Sequence, residues 1–192
     1  MRNVIILGAN GNIAKHVIDI LVKTDDISLT LFLRNKSRLR NKDVSGCRII
    51  EGNMLDLNQL KEAVTGQDMV YANLSGDLEA MAKNIVMAME ETGVKKLILI
   101  SSIGIYDVPL KSVLKPYRKA ADVIESSGLD YTILRPTWFT NADEVDYEIT
   151  KKGEPEKGSV ISQKSLATLI VDIIGHPGKY VRENLGVNKP NS

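Results

Sequence analysis

Short runs of branched aliphatic residues punctuate this chain and alternate with stretches whose apolar positions recur every three or four residues. The runs predict strands at Val4–Leu7, Leu29–Leu33, Arg48–Ile50, Met69–Ala72, Leu97–Ile100 and Tyr131–Leu134. Most are apolar throughout rather than alternating, the mark of parallel strands buried on both faces by helices. Between them Leu78, Met81, Ala82, Ile85, Val86 and Met89 share one helical face, and Gly93 follows as a stop. Val113, Tyr117, Ala120, Ala121 and Ile124 repeat the pattern as far as Gly128. A last helix, about Leu166 to Ile174, closes at Gly175-His176-Pro177. Strand alternating with helix over nearly the whole length predicts an α/β fold with one doubly wound parallel sheet rather than two domains. The charged, turn-rich segment Asn141–Ser159 breaks the rhythm. It reads either as an excursion beside a ligand crevice or as a solvated surface loop.

Composition narrows the class. The 192 residues are 43% hydrophobic, enough for one substantial core. With 25 basic and 24 acidic side chains the net charge is +1, so no global field draws the protein to nucleic acid or an anionic membrane. Cys47 is the single cysteine, which excludes an internal disulfide and a cysteine zinc site and fits a reducing compartment. His16 and His176 are too few and too far apart for a histidine metal cluster, so no metal is expected. The first apolar run ends at a glycine, far short of a signal or membrane span. The expectation is a soluble cytoplasmic protein with neither nucleic acid nor membrane as partner, its oligomeric state left open.

The first strand leads into "LGANGNIA", residues 7–14. Glycine is needed where a strand turns sharply into a helix and where backbone must approach a ligand closely. Gly8 fits the first need, Gly11 the second, and the small Ala14 lets the new helix lie near the sheet. The helix start, with Asn10, Asn12 and Ile13 around it, then aims free N–H groups and a positive dipole end at a pyrophosphate. The bland alternative is a strand–helix turn in a fold without a ligand. Twenty residues after Ala14, Arg34 follows the second strand, with Lys36, Arg38 and Arg40 behind it and no acid in the stretch. A carboxylate there would bond a ribose 2′-hydroxyl and favour NAD; a guanidinium can grip a 2′-phosphate through paired hydrogen bonds, so Arg34 argues for NADP. A cationic surface loop accounts for the other basic residues better than for Arg34.

Taken together these residues resemble the atypical short-chain dehydrogenases/reductases, and within them the NmrA-like NAD(P)H-binding proteins. "GANGNIA" is similar to that group's cofactor turn, and "GNMLD" at Gly52–Asp56 to its third-strand element, where Asn53 and Met54 would flank the adenine. "LILISSIGIYD" resembles the fifth strand with its terminal serines, and "SGLDYTILRPTWFTN" is the most specific block. "ISQKSLATLIVDII" is similar to the segment that opens the last helix after a polar residue. The resemblance implies a single Rossmann-type domain over residues 1–192, with a small substrate-side portion at about 137–192, and NADP as cofactor, NAD being the alternative.

It also sets a test for chemistry. In typical members a serine on the fifth strand positions a carbonyl, a tyrosine donates the proton, and a lysine four residues later lowers the tyrosine pKa. Here Tyr117 is followed at that interval by Ala121. Lys119 lies about 200° around the helix from Tyr117, on another face, and Lys115 shares the Lys119 side. Tyr117 then reads as a core or crevice aromatic, or as an acid without its activator. Tyr106 reads as a substrate or cofactor contact, or as a cover over apolar surface. Hydride transfer to an acceptor that takes its proton from water, as in flavin reduction, fits the missing lysine. Ser101 and Ser102 are expected at the carboxyl end of the fifth strand, as ligand contacts or as strand caps. Asn73, Leu74, Ser75 and Gly76 end the fourth strand and approach the cofactor. Pro136, Thr137, Trp138 and Phe139 are expected to frame the nicotinamide side, the two aromatics as an apolar wall or else as part of the core. Two functions remain open: an NADPH-dependent oxidoreductase acting on a small molecule such as a flavin or quinone, and a non-catalytic cofactor sensor.

Overall fold

The computed structural model describes residues 1–40 and 43–192. Its elements in chain order begin β1 (Arg2–Leu7), α1 (Asn12–Leu21), β2 (Ile27–Leu33), β3 (Arg48–Glu51), α2 (Leu57–Val64), β4 (Met69–Ala72), α3 (Leu78–Thr92) and β5 (Lys96–Ile100). They continue with α4 (Lys115–Glu125), β6 (Asp130–Pro136), β7 (Trp138–Thr140), β8 (Glu148–Lys151), β9 (Val160–Ser162), α5 (Gln163–Gly175) and β10 (Glu183–Asn188).

One sheet runs β3-β2-β1-β4-β5-β6-β10-β8, parallel except for β8, which pairs antiparallel with β10 at the edge. β7 and β9 form a separate parallel pair. The central strands are apolar on both sides because both sides are covered. Ile5, Leu7, Val70, Ala72, Leu97 and Leu99 face the core made with α2, α3 and α4. Val4, Ile6, Met69, Tyr71 and Ile98 face the opposite core, made with α1 and α5. Each large aliphatic side chain so buried is worth about 1.5–3 kcal/mol. This is the doubly wound Rossmann-type domain that the pattern predicts. Its strand order reverses between β1 and β4, which opens a crevice at their carboxyl ends.

All six expected strands are present, and Gly93 ends α3 in a left-handed conformation at φ +77°. Two expectations need correction. Val113 does not belong to the buried stripe of α4: Pro116 stands in the first turn of that helix, and Val113 precedes it in a short 3-10 turn, 70% exposed. The last helix begins earlier than Leu166, because the Ser162 hydroxyl accepts from the Ser165 N–H at 2.9 Å and caps it. The segment 141–159 contributes β8 to the sheet edge. Among the described residues no helix is long and apolar enough to cross a membrane, and no group of three metal-ligating side chains occurs.

Candidate functional site

After β1 the chain turns at Gly8, whose φ is +79°, and the Gly8 and Ala9 amides both donate to the Phe32 carbonyl at 3.0 and 3.3 Å. A Cβ on Gly8 would lie 2.1 Å from the Asn73 carbonyl oxygen, and one on Gly11 2.1 Å from Asn73 Nδ2. Both glycines therefore serve the close approach of this turn to the end of β4. For Gly11 this refines the sequence reading: the missing Cβ first makes room for the Asn73 carboxamide. Gly11 is also the N-cap of α1 and provides no side-chain cap, so the first-turn N–H groups are left for a ligand. Ala14 is fully buried between α1 and the sheet.

In front of the turn lies a groove of about 790 Å³. Gly8, Asn10, Gly11, Asn12 and Ile13 line one side of it. Asn73, Leu74 and Ser75 line it from the end of β4, and Met54 from the loop after β3. Arg34, Arg38 and Arg40 line it from the loop after β2. Lys36 is engaged by Glu51, its ammonium at 3.6 Å and its amide at 2.9 Å. Arg40 donates to Asn12 Oδ1 at 3.2 Å. Arg34 is exposed and forms no ion pair among the described residues. Asn10 Nδ2 donates to the Asn35 carbonyl at 3.2 Å, while Asn10 Oδ1 is buried without a partner among the described residues. A cradle that a Cβ would fill, an open helix start, an amide oxygen without a partner among the described residues and a cluster of arginines at one end suit a nicotinamide dinucleotide, and the volume lies in the cofactor range. Asn53 is not brought to this groove. Its side chain accepts from the Leu55 amide at 3.1 Å and shapes the turn into α2.

Ser101, Ser102, Tyr117 and Pro136 gather instead around a second cavity of about 470 Å³, and Phe139 lines both spaces. Ser101 follows β5 with its amide on the Leu134 carbonyl at 2.8 Å; its Oγ is buried and has no partner among the described residues. Ser102 Oγ donates to the Ile103 carbonyl at 3.1 Å. Trp138 and Phe139, 79% and 47% exposed, form cavity wall and rim rather than core. Ala121, where a lysine would activate Tyr117, is fully buried among apolar side chains, so an ammonium there would have to be desolvated. Lys119 of α4 is paired with Glu79 of α3 at 2.8 Å.

Tyr106 lines neither space. Its hydroxyl bonds Glu125 at 3.2 Å and accepts from Asn184 Nδ2 at 2.7 Å, and the Arg118, Arg135 and Lys152 cations stand 4.6 to 5.3 Å from its ring centre. Burial, then the Glu125 charge, pushes its pKa well above the ordinary phenol range, which makes it a poorer acid. Among residues not anticipated, Arg135 at the end of β6 is 1% exposed and ion-paired with Glu156 at 2.7 Å. Asp107, Lys111 and Glu156 also line the second cavity.

A cofactor groove at the switch point of a doubly wound sheet, opening beside a second cavity, defines an NAD(P)-binding protein of the Rossmann class. The profile of the NAD(P)H-binding family matches residues 8–177, and the chain belongs to that family. It is 47% identical to a Rossmann-fold NAD(P)-binding family protein from Shigella flexneri, with a TM-score of 0.94 over 100% of this chain and 95% of that one. A short-chain dehydrogenase/reductase from Veillonella parvula, solved in complex with NADP, is 27% identical with a TM-score of 0.90 over 99% and 95%. The uncharacterized sugar epimerase YhfK of Bacillus subtilis is 27% identical over 85% of this chain and 78% of its own length. The chain spans only 64% of an isoflavone reductase homolog from Nicotiana glauca, to which it is 23% identical.

Proposed function

We propose that this chain is an NADPH-dependent oxidoreductase of the atypical short-chain type that reduces a conjugated, largely apolar acceptor, such as a flavin or quinone, in the second cavity. The observation that carries this reading is Ser101 in the lining of that cavity, its Oγ buried and without a hydrogen-bond partner among the described residues. Leaving a buried hydroxyl unpaired costs about 1–3 kcal/mol, which an acceptor oxygen would recover. Bound NADPH would supply the hydride. The β1–α1 turn holds the pyrophosphate, Arg34 the 2′-phosphate, and Trp138 and Phe139 cover the acceptor with apolar surface. Tyr117 lacks its lysine, so the acceptor takes its proton from water. The portion from about residue 137 onward acts as the substrate side of the single domain, because Trp138, Phe139 and Glu156 come from it. We assign the protein to the cytoplasm on the single cysteine.

A second reading, a cofactor sensor that binds NADPH without turnover, is favoured by Ala121 alone. Acceptor-dependent oxidation of NADPH by the wild type separates the two, and two variants then test the chemistry of the first. Ser101→Ala is expected to lower acceptor kcat/KM by about tenfold, the upper worth of a neutral hydrogen bond, with NADPH affinity unchanged. Tyr117→Phe is expected to change the same rate by less than about threefold, far under the hundredfold of a positioned general acid. A large, pH-dependent loss in Tyr117→Phe with none in Ser101→Ala would restore serine–tyrosine chemistry and overturn this reading.

A further inference from the structure

The charged segment between β7 and β9 reaches back to the second cavity through one carboxylate. Glu156 Oε1 accepts from Arg135 Nε at 2.7 Å, and its Oε2 accepts from the Gly104 amide at 2.8 Å. Gly104 lies in the loop after β5 that also carries Ser101 and Ser102. Arg135 projects from the end of β6, and its Nη1 is occupied by the Asn184 carbonyl at 3.0 Å and Oδ1 at 2.5 Å on β10. A single side chain thus joins three walls of the cavity: the end of β6, the serine loop and the 141–159 segment. Lys152 of the same segment makes a second tether of opposite sign, its ammonium at 2.7 and 2.8 Å from the two Glu125 oxygens. Without Glu156 the guanidinium of Arg135 would lose its counter-charge at 1% exposure, a costly state. The segment is therefore fixed by the interior of the fold.

We propose that Glu156 is a positioning residue for the acceptor: its carboxylate holds residues 152–159 and the Gly104 loop together as one rigid wall of the second cavity. This rests on the reading of the second cavity as the acceptor site. Removing the carboxylate loosens the wall and weakens acceptor binding, while the cofactor groove, built from other loops, is untouched.

The full chain and two variants test it. Glu156→Ala is expected to raise acceptor KM at least about tenfold with kcat changed less than about threefold. Its NADPH affinity, read from the single tryptophan, Trp138, should stay within about twofold. Tryptic cleavage after Lys152 and Lys157 should accelerate at least about tenfold as the segment is freed. Glu156→Gln has the same shape; its amide oxygen keeps the Arg135 contact but it turns an N–H₂ toward the Gly104 amide. It should fold even if the alanine variant does not, with a KM rise of roughly threefold. Unchanged KM and unchanged cleavage in the glutamine variant, together with either an unchanged or an unfolded alanine variant, overturn the proposal. A fall in kcat with KM and cleavage unchanged overturns it too, since Glu156 would then act on the chemistry. Should the wild type turn over no acceptor, the reductase reading fails by itself, and the cleavage rates alone decide whether Glu156 fixes the wall.

Discussion

Replacing Gly11 by valine is expected to weaken NADPH binding by at least about a hundredfold, roughly 2.7 kcal/mol, and to leave the chain folded. The first Cβ would stand 2.1 Å from Asn73 Nδ2, so the carboxamide must leave its place on the groove wall, and the branched side chain then covers the open start of α1. The backbone does not object, because Gly11 at φ −67°, ψ 152° occupies an extended conformation open to any residue. Gly8 differs on both counts: φ is +79° and the clash is with a backbone carbonyl, so substitution there would damage the fold as well. Calorimetric titration beside a thermal melt separates the two effects. A valine variant that binds NADPH with wild-type affinity would show that the cofactor is not held on this turn.

Arg34→Ala is expected to weaken NADPH by roughly thirtyfold, about 2 kcal/mol, the worth of charge-assisted hydrogen bonds to a phosphate, and to leave NADH nearly unchanged. The wild type should accordingly prefer NADPH by at least about tenfold. Of the basic residues after β2, Lys36 is engaged by Glu51 and Arg40 by Asn12; Arg34 and Arg38 both line the groove without an ion-pair partner among the described residues, and Arg34 stands directly after the strand. Equal affinities of the wild type for the two cofactors would remove Arg34 from the site.

The strands with continuous aliphatic runs were legible because both sheet faces are covered, so that Val4–Leu7 and Met69–Ala72 bury side chains on both sides. The turn at Gly8 and Gly11 and the position of Arg34 were legible from spacing, since each answers to a local backbone or charge requirement. β10 was not, because Glu183, Asn184 and Gly186 break its apolar pattern for reasons that lie elsewhere in the fold. Asn184 serves Arg135, and a Cβ on Gly186 would sit 2.4 Å from Thr150 Oγ1. α2 carried a readable signal in Asp56, which accepts from the Gln59 amide at 3.1 Å, but its eight residues are too mixed to declare a face. Glu156 had no signal at all: its partners are Arg135 and Gly104, and within its own segment it looks like any other surface acid. Sequence pattern reports what a residue needs from its neighbours along the chain; an ion pair between the end of a strand and a separate loop leaves no such trace.

The most direct test of the account is acceptor-dependent oxidation of NADPH by the wild-type chain, measured at steady state against a panel of flavins, quinones and aldehydes. The account predicts saturable consumption of NADPH with at least one flavin or quinone, at a rate well above that of the same mixture without protein. Tight binding of NADPH with no acceptor in the panel reduced would contradict it, and would leave a cofactor sensor in its place.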